Sequence, residues 1–228
     1  MRWYEFSGGD EAWNELARRF TGASALQSAA WAGHRRDSGW VPQRWAAANG
    51  KGAVQLLLRR QWGVTIAWAP AGPLFDVAED AADEARALAA GLLDALRAYW
   101  GAFYIRVDPP VAPSSIVGLT LARSWTRPAI RLNRGMTVVL ELSDDATARR
   151  ARMSKHHRHE LRRGQQCGLS WTASNGPAQV DALVALHGEM TRRKGIATAP
   201  QARRAAILSL CSHFADDAVI LVGSQDGR

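Results

Sequence analysis

Apolar positions three and four residues apart open the chain. Trp13, Leu16 and Phe20 fall on one face of a helix expected over 11–20, with Ser7–Asp10 as the loop that caps it. After Leu26-Gln27-Ser28, Ser28 reads as the N-cap of a second helix, Ala29–Ser38, stopped by Gly39. This helix carries Trp31 with His34, Arg35 and Arg36. The pattern then turns to β. Trp40–Ala48 and Ala53–Gln61 flank the polar turn Asn49-Gly50-Lys51-Gly52, a hairpin signal, and Val64–Ala69 reads as a third strand. Pro70-Ala71-Gly72-Pro73 is a rigid turn before Leu74-Phe75-Asp76. Ala78–Trp100 is a long Ala/Leu-rich helix with an acidic first turn, Ala102–Val107 a strand stopped by Pro109-Pro110, Ser114–Ala122 a short helix and Thr137–Leu142 a strand.

A second unit begins where Ser143-Asp144-Asp145 caps a new helical region. Its centre is Arg149–Leu169, in which Arg149, Arg150, Arg152, Lys155, Arg158, Arg162 and Arg163 stand against one acid, Glu160. Read as a helix, Lys155, Arg158 and Arg162 share a face, and Met153, Leu161 and Gly164 share a neighbouring face suited to burial. Gly168 is the expected stop. A strand over Leu169–Thr172, an amphipathic helix over Ala178–Arg193, a helix over Pro200–Phe214 and a strand over Ala218–Gly223 follow. The class is α/β (α+β), with domains 1–143 and 144–228. The last strand has no following partner, so the second domain is expected to be partial.

Charge narrows the partners. The net charge is +8, and Lys51, Lys155 and Lys194 are the only lysines among 29 basic residues, so the positive side is guanidinium. This favours an anionic partner: nucleic acid, a nucleotide-bearing substrate or a membrane surface. Cys167 and Cys211 form no CxxC pair and read as reduced, mostly buried thiols of a cytoplasmic protein. The N-terminal stretch lacks an apolar signal-peptide core, and no run reaches the roughly 18 apolar residues of a membrane span. The ten tryptophans are expected in the core or in pocket walls.

Several groups compete for chemistry. The basic stretch fits a solvated helix face, and it fits guanidinium forks aimed at a phosphate or carboxylate; periodicity does not choose. His156, His157 and His159 resemble a metal cluster, but the surrounding cations would repel a metal, and none is expected. His159 fits either a donor to substrate or an exposed polar residue. Asn49–Ala53 lies between strands and reads as a hairpin rather than a phosphate loop. It also fails the acetyl-CoA pattern, because Ala47 stands at the required Arg or Gln position. Ser28 and Ser154 read as helix caps, and Asp108, before Pro109, fits a general base and a strand terminator alike.

The order of motifs resembles the Fem-type (FemABX) aminoacyltransferases. The matching stretches are Leu26-Gln27-Ser28 with Trp31 and its basic cluster, Pro70-Ala71-Gly72-Pro73-Leu74-Phe75-Asp76, and Ile105-Arg106-Val107-Asp108-Pro109. Thr137–Ser143, Met153…Arg158…Leu161-Arg162…Gly168-Leu169 and Thr191-Arg192-Arg193-Lys194-Gly195-Ile196 complete the series. The resemblance implies two GNAT-like (acetyltransferase-type) mixed-sheet domains and transfer of an amino acid from aminoacyl-tRNA to the peptide of a peptidoglycan precursor. No cofactor beyond the aminoacyl-tRNA co-substrate is implied. The partners would be a UDP- or lipid-linked muropeptide and aminoacyl-tRNA, with contact at the inner membrane surface open and DNA excluded. By resemblance, the precursor diphosphate falls to Arg35 and Arg158, with Arg36 and Arg162 beside them and His159 where the family has tyrosine. The catalytic residue stays open. Members of the family run further than this chain, which implies a fragment or a lost activity. An acyl-CoA-dependent N-acyltransferase and a non-catalytic anion- or RNA-binding module are the alternatives.

Overall fold

The computed structural model describes residues 1–101, 103–127, 145–197 and 203–225. The chain forms two compact units, Met1–Ile130 with Ser212–Phe214, and Arg131–Cys211 with Ala215–Arg228. The expected boundary at Ser143 and the expected strand Thr137–Leu142 lie outside the described residues.

The first unit is built on a mixed sheet. Its strands are β1 (Trp3–Glu5), β2 (Val41–Ala47), β3 (Gly52–Gln61), β4 (Val64–Ala69), β5 (Leu74–Phe75) and β6 (Phe103–Val107). The order is β1-β2-β3-β4-β6, with β5 paired to the start of β3. All pairings are antiparallel except β4 with β6. That parallel pair needs a crossover, and helix α3 (Ala82–Trp100) supplies it.

Alternation along β3 explains the two faces of the sheet. Val54 and Leu56 point to one side, where Trp45, Ala69 and the Leu88, Leu92 and Leu96 stripe of α3 close a fully apolar core. Full burial of each such leucine stabilises by roughly 1.5–3 kcal/mol. Ala53, Gln55, Leu57 and Arg59 take the other side. There α1 (Asp10–Arg18) contributes Trp13 and Ala17, and α2 (Ala29–Asp37) packs beside it. This second face is polar as well as apolar, and it carries the candidate site.

Helix ends account for most departures from expectation. Ser28 caps α2 as read, its Oγ accepting from the Trp31 N–H at 3.2 Å. Helix α3 starts four residues later than Ala78, because the Glu79 carboxylate instead accepts from the Ile116 N–H at the start of α4 (Ile116–Ser124).

In the second unit the basic stretch is two helices, not one. Helix α5 (Ala146–Arg152) ends at Met153, and α6 (Lys155–Gln166) begins under a Ser154 cap that accepts from the His157 N–H at 3.2 Å. The face expected to be buried is not: Met153 is 38% exposed and Gly164 lies in solvent. Cys167 is also exposed, against expectation, whereas Cys211 is buried. Strand β7 (Ser170–Ser174) pairs antiparallel with β8 (Ile220–Ser224), so the last strand finds its partner upstream. Helix α7 (Pro177–Lys194) ends at Gly195 in the left-handed region, φ 63°, and α8 covers Arg204–Phe214.

Candidate anion-binding site

Three of the sequence motifs meet in the first unit. Gln27 is fully buried, and its amide nitrogen donates to the carbonyls of Gln55 (3.2 Å) and Pro70 (2.7 Å). Its amide oxygen accepts from the Gln55 N–H at 2.8 Å, and Gln55 Nε2 donates to the Ser28 carbonyl at 2.9 Å. Trp13 Nε1 closes the group on the Gln27 carbonyl at 2.7 Å. Gly72 must be small here, since a Cβ would come within 2.7 Å of Gln27 Nε2. The Asp108 N–H donates to the carbonyls of Ala69 and Gly72, which brings the end of β6 to the same junction. Every buried polar group in this set gains a partner, and the start of α2 is thereby fixed on the sheet.

Helix α2 then presents Trp31 and Arg35 one turn apart. The Arg35 guanidinium carbon stands 5.8 Å from the Trp31 ring centroid and 5.6 Å from that of Trp40. Arg59, on β3, stands 5.0 Å from Trp40, and its Nη2 donates to the Ser38 carbonyl at 2.6 Å. Trp40 packs on Trp68 at 6.2 Å, and Trp68 Nε1 donates to Asp108 Oδ2 at 3.1 Å. Arg106, opposite Trp68 in the sheet register, has its Nε 3.8 Å from that same carboxylate oxygen.

This is an electropositive aromatic wall with unused donors. The Nε atoms of Arg35 and Arg106 and the indole nitrogen of Trp31 are buried without a hydrogen-bond partner among the described residues. A buried donor left unpaired costs roughly 1–3 kcal/mol. Burial first, and the Arg59 charge second, hold the Arg35 pKa below its ordinary value. Arginine nevertheless stays protonated near neutral pH. Neighbouring His34 is buried too, and burial, then Arg35 and His213, push its pKa down against the opposing effect of Asp37. The neutral imidazole is favoured, so the positive charge rests on guanidinium.

The other expected site residues lie elsewhere. Arg36 is exposed in the last turn of α2. Arg158 belongs to α6 in the second unit, where its Nη1 donates to the carbonyls of Met153 and, at 3.2 Å, Ala151. It therefore satisfies acceptors that the break after α5 leaves open. Arg162 is exposed with Nε 3.4 Å from the Arg158 carbonyl, and His159 is exposed on the same helix. The structure thus places Arg35 and Arg36 in one unit and Arg158, His159 and Arg162 in the other. Sequence reading missed Arg59, Trp40 and Trp68 as site residues, because only the register of the strands brings them to Arg35.

No protein-family model matches the chain, and no curated protein does. Among solved structures, the crystal structure of FemX superposes with a TM-score of 0.74 at 15% identity, over 96% of this chain and 57% of the FemX chain. The chain has the FemX fold. The motif series read from the sequence and the superposition on FemX point the same way, and the α+β class holds. The chain spans little more than half the length of FemX. No helix among the described residues is long and apolar enough to cross a membrane.

Proposed function

We propose that this chain carries the substrate-binding part of a Fem-type aminoacyltransferase, acting on the peptide of a peptidoglycan precursor with aminoacyl-tRNA as donor. In this reading its two units are GNAT-like domains. One observation carries it: on a FemX-like fold, Arg35 is held between two indoles with a buried donor unused. A diphosphate supplies the acceptor and the countercharge that such a group lacks, and a guanidinium fork matches its geometry better than an ammonium does. Arg36 on α2, and Arg158, His159 and Arg162 on α6, are the further groups that the reading assigns to substrate.

The reaction itself is aminolysis. The acceptor amine attacks the ester carbonyl, a tetrahedral oxyanion forms, and the tRNA ribose oxygen leaves with the proton that the amine gives up. Holding both substrates in line and stabilising the oxyanion supply the rate. No side chain is assigned as general base, and proton transfer within the bound substrates suffices for the balance.

The test is calorimetric titration of the 228-residue protein with UDP-MurNAc-pentapeptide, with acetyl-CoA as comparator. The precursor is expected to bind saturably, and Arg35→Ala and Arg158→Ala are each expected to weaken it by about tenfold to a hundredfold, as for lost charge-assisted hydrogen bonds. Equal affinity in both variants removes the assigned site. Binding of acetyl-CoA alone overturns the donor and favours an acyl-CoA enzyme.

A further inference from the structure

Arg35 shares Trp40 with a second cation. The guanidinium carbons of Arg35 and Arg59 lie 5.6 and 5.0 Å from the centroid of that one ring. Cation–π attraction of about 0.5–2 kcal/mol per contact holds each on the indole. Their mutual repulsion is the second cause, after burial, of the lowered Arg35 pKa. Among the described residues, the ion pairs involve neither arginine.

A helix-capping role accounts for Arg59 in part. Its bond to the Ser38 carbonyl closes the C-terminal end of α2, where a cation is favourable. Capping does not account for Arg35, whose Nε is buried without a partner and whose charge is destabilised by Arg59. An oxyanion held by both groups answers both points: it accepts from the unused donors and cancels the repulsion. Arg59 is exposed at the strand end, so its fork is reachable from solvent, while Arg35 is half-buried beside Trp31 and Trp40.

We propose that Arg35 and Arg59, braced on Trp40, form a two-guanidinium phosphate clamp within the first unit, with Arg59 the binding residue that its exposed position on β3 conceals. The ligand class is a phosphate or diphosphate ester. The proposal rests on the diphosphate reading of Arg35 and adds to it a second contact from the sheet.

The full chain is titrated with inorganic pyrophosphate, and separately with UDP-MurNAc-pentapeptide, at fixed ionic strength. The variant is Arg59→Gln, which carries no charge and, two bonds shorter than arginine, also gives up the bond to the Ser38 carbonyl. Arg60→Gln is the control: it removes the same charge one residue along β3, from the opposite face of the sheet. Arg59→Gln is expected to weaken pyrophosphate by about tenfold or more, whereas Arg60→Gln stays within about twofold of the parent. Equal losses in the two variants, or none in Arg59→Gln, overturn the clamp, as does failure of the parent protein to bind pyrophosphate.

Should Arg59→Gln lower the thermal midpoint of the unliganded protein, the comparison passes to Arg59→Lys. That variant keeps the cation without the fork and is expected to bind pyrophosphate severalfold more weakly than the parent; equal affinity overturns the clamp. The two readings fail separately. Precursor bound equally by the parent and Arg59→Gln removes the clamp and leaves the proposed function. Pyrophosphate lost in Arg59→Gln, with no binding of the precursor by the parent, keeps the clamp and removes that function.

Discussion

At the scale of the residue, Gln27 does more than any apolar side chain to position the site. It is buried, and its amide answers two carbonyls and one N–H from segments 28 and 43 residues away along the chain. Replacement by alanine leaves the Gln55 N–H and the Pro70 carbonyl buried and short of a partner, and it opens a void. Gln27→Ala is therefore expected to lower unfolding stability by about 2–4 kcal/mol, within the range for losing a buried network. Urea titration followed by tryptophan fluorescence measures this, and a change below about 0.5 kcal/mol, the size of an ordinary surface substitution, contradicts the network's assigned weight. Nothing in the order Leu26-Gln27-Ser28 displays that role. The motif was legible as a helix entry because Ser28 is a local cap. Gln27 was not, because its partners are fixed by tertiary contacts. The same holds for Arg59, which reads as strand polarity until the hairpin register puts it beside Trp40. Trp62 and Trp171, 90% and 63% exposed, show the reverse error, since an aromatic residue reads as core only where a partner face exists.

At the scale of the element, local chemistry was readable and competition between elements was not. Strands β2, β3 and β4 follow the alternation and turn signals closely, and α2 follows its serine cap. Helix α3 is shorter than its sequence pattern predicts, because Glu79 carries an acidic first-turn signal that the structure uses for α4 instead. The basic stretch reads as one helix because basic residues continue on both sides of Met153-Ser154. Ser154 was nevertheless readable as a cap, and the break is where it caps. Without that hydroxyl the first turn of α6 loses its acceptor, and Arg158 faces a frayed end. Ser154→Ala is expected to destabilise α6 locally by about 1 kcal/mol. Amide hydrogen exchange over 155–160 should accelerate roughly fivefold, the factor equivalent to that energy. Unchanged exchange there means that α5 and α6 are held by other contacts.

At the scale of the molecule, the two units differ in what can hold them folded. Nearly all the buried apolar side chains among the described residues, including Trp13, Trp45, Leu56, Leu57, Leu88, Leu92 and Leu96, belong to the first unit. Among the described residues of the second, the buried apolar side chains are Val180 and Cys211. Its β7–β8 sheet, two-stranded among the described residues, leaves Trp171 and Leu221 in solvent, on the same face of the ladder. A two-stranded ladder is marginal in water unless a covered face supports it. Burial scales the hydrophobic contribution, and so the first unit must hold most of the stability. Urea unfolding is then expected in two steps, the second unit first, with amide protons of β3 and α3 the last to exchange and those of β7 and β8 among the first. A single transition in which circular dichroism and exchange in both units coincide contradicts this and means that the units unfold together. The same comparison bears on function. A ligand held by first-unit residues alone raises the later transition by its binding linkage and leaves the earlier one in place. Pyrophosphate is expected to act in this way, so the denaturation curves test the Arg35–Arg59 clamp, and a pyrophosphate-dependent rise of the earlier transition contradicts it.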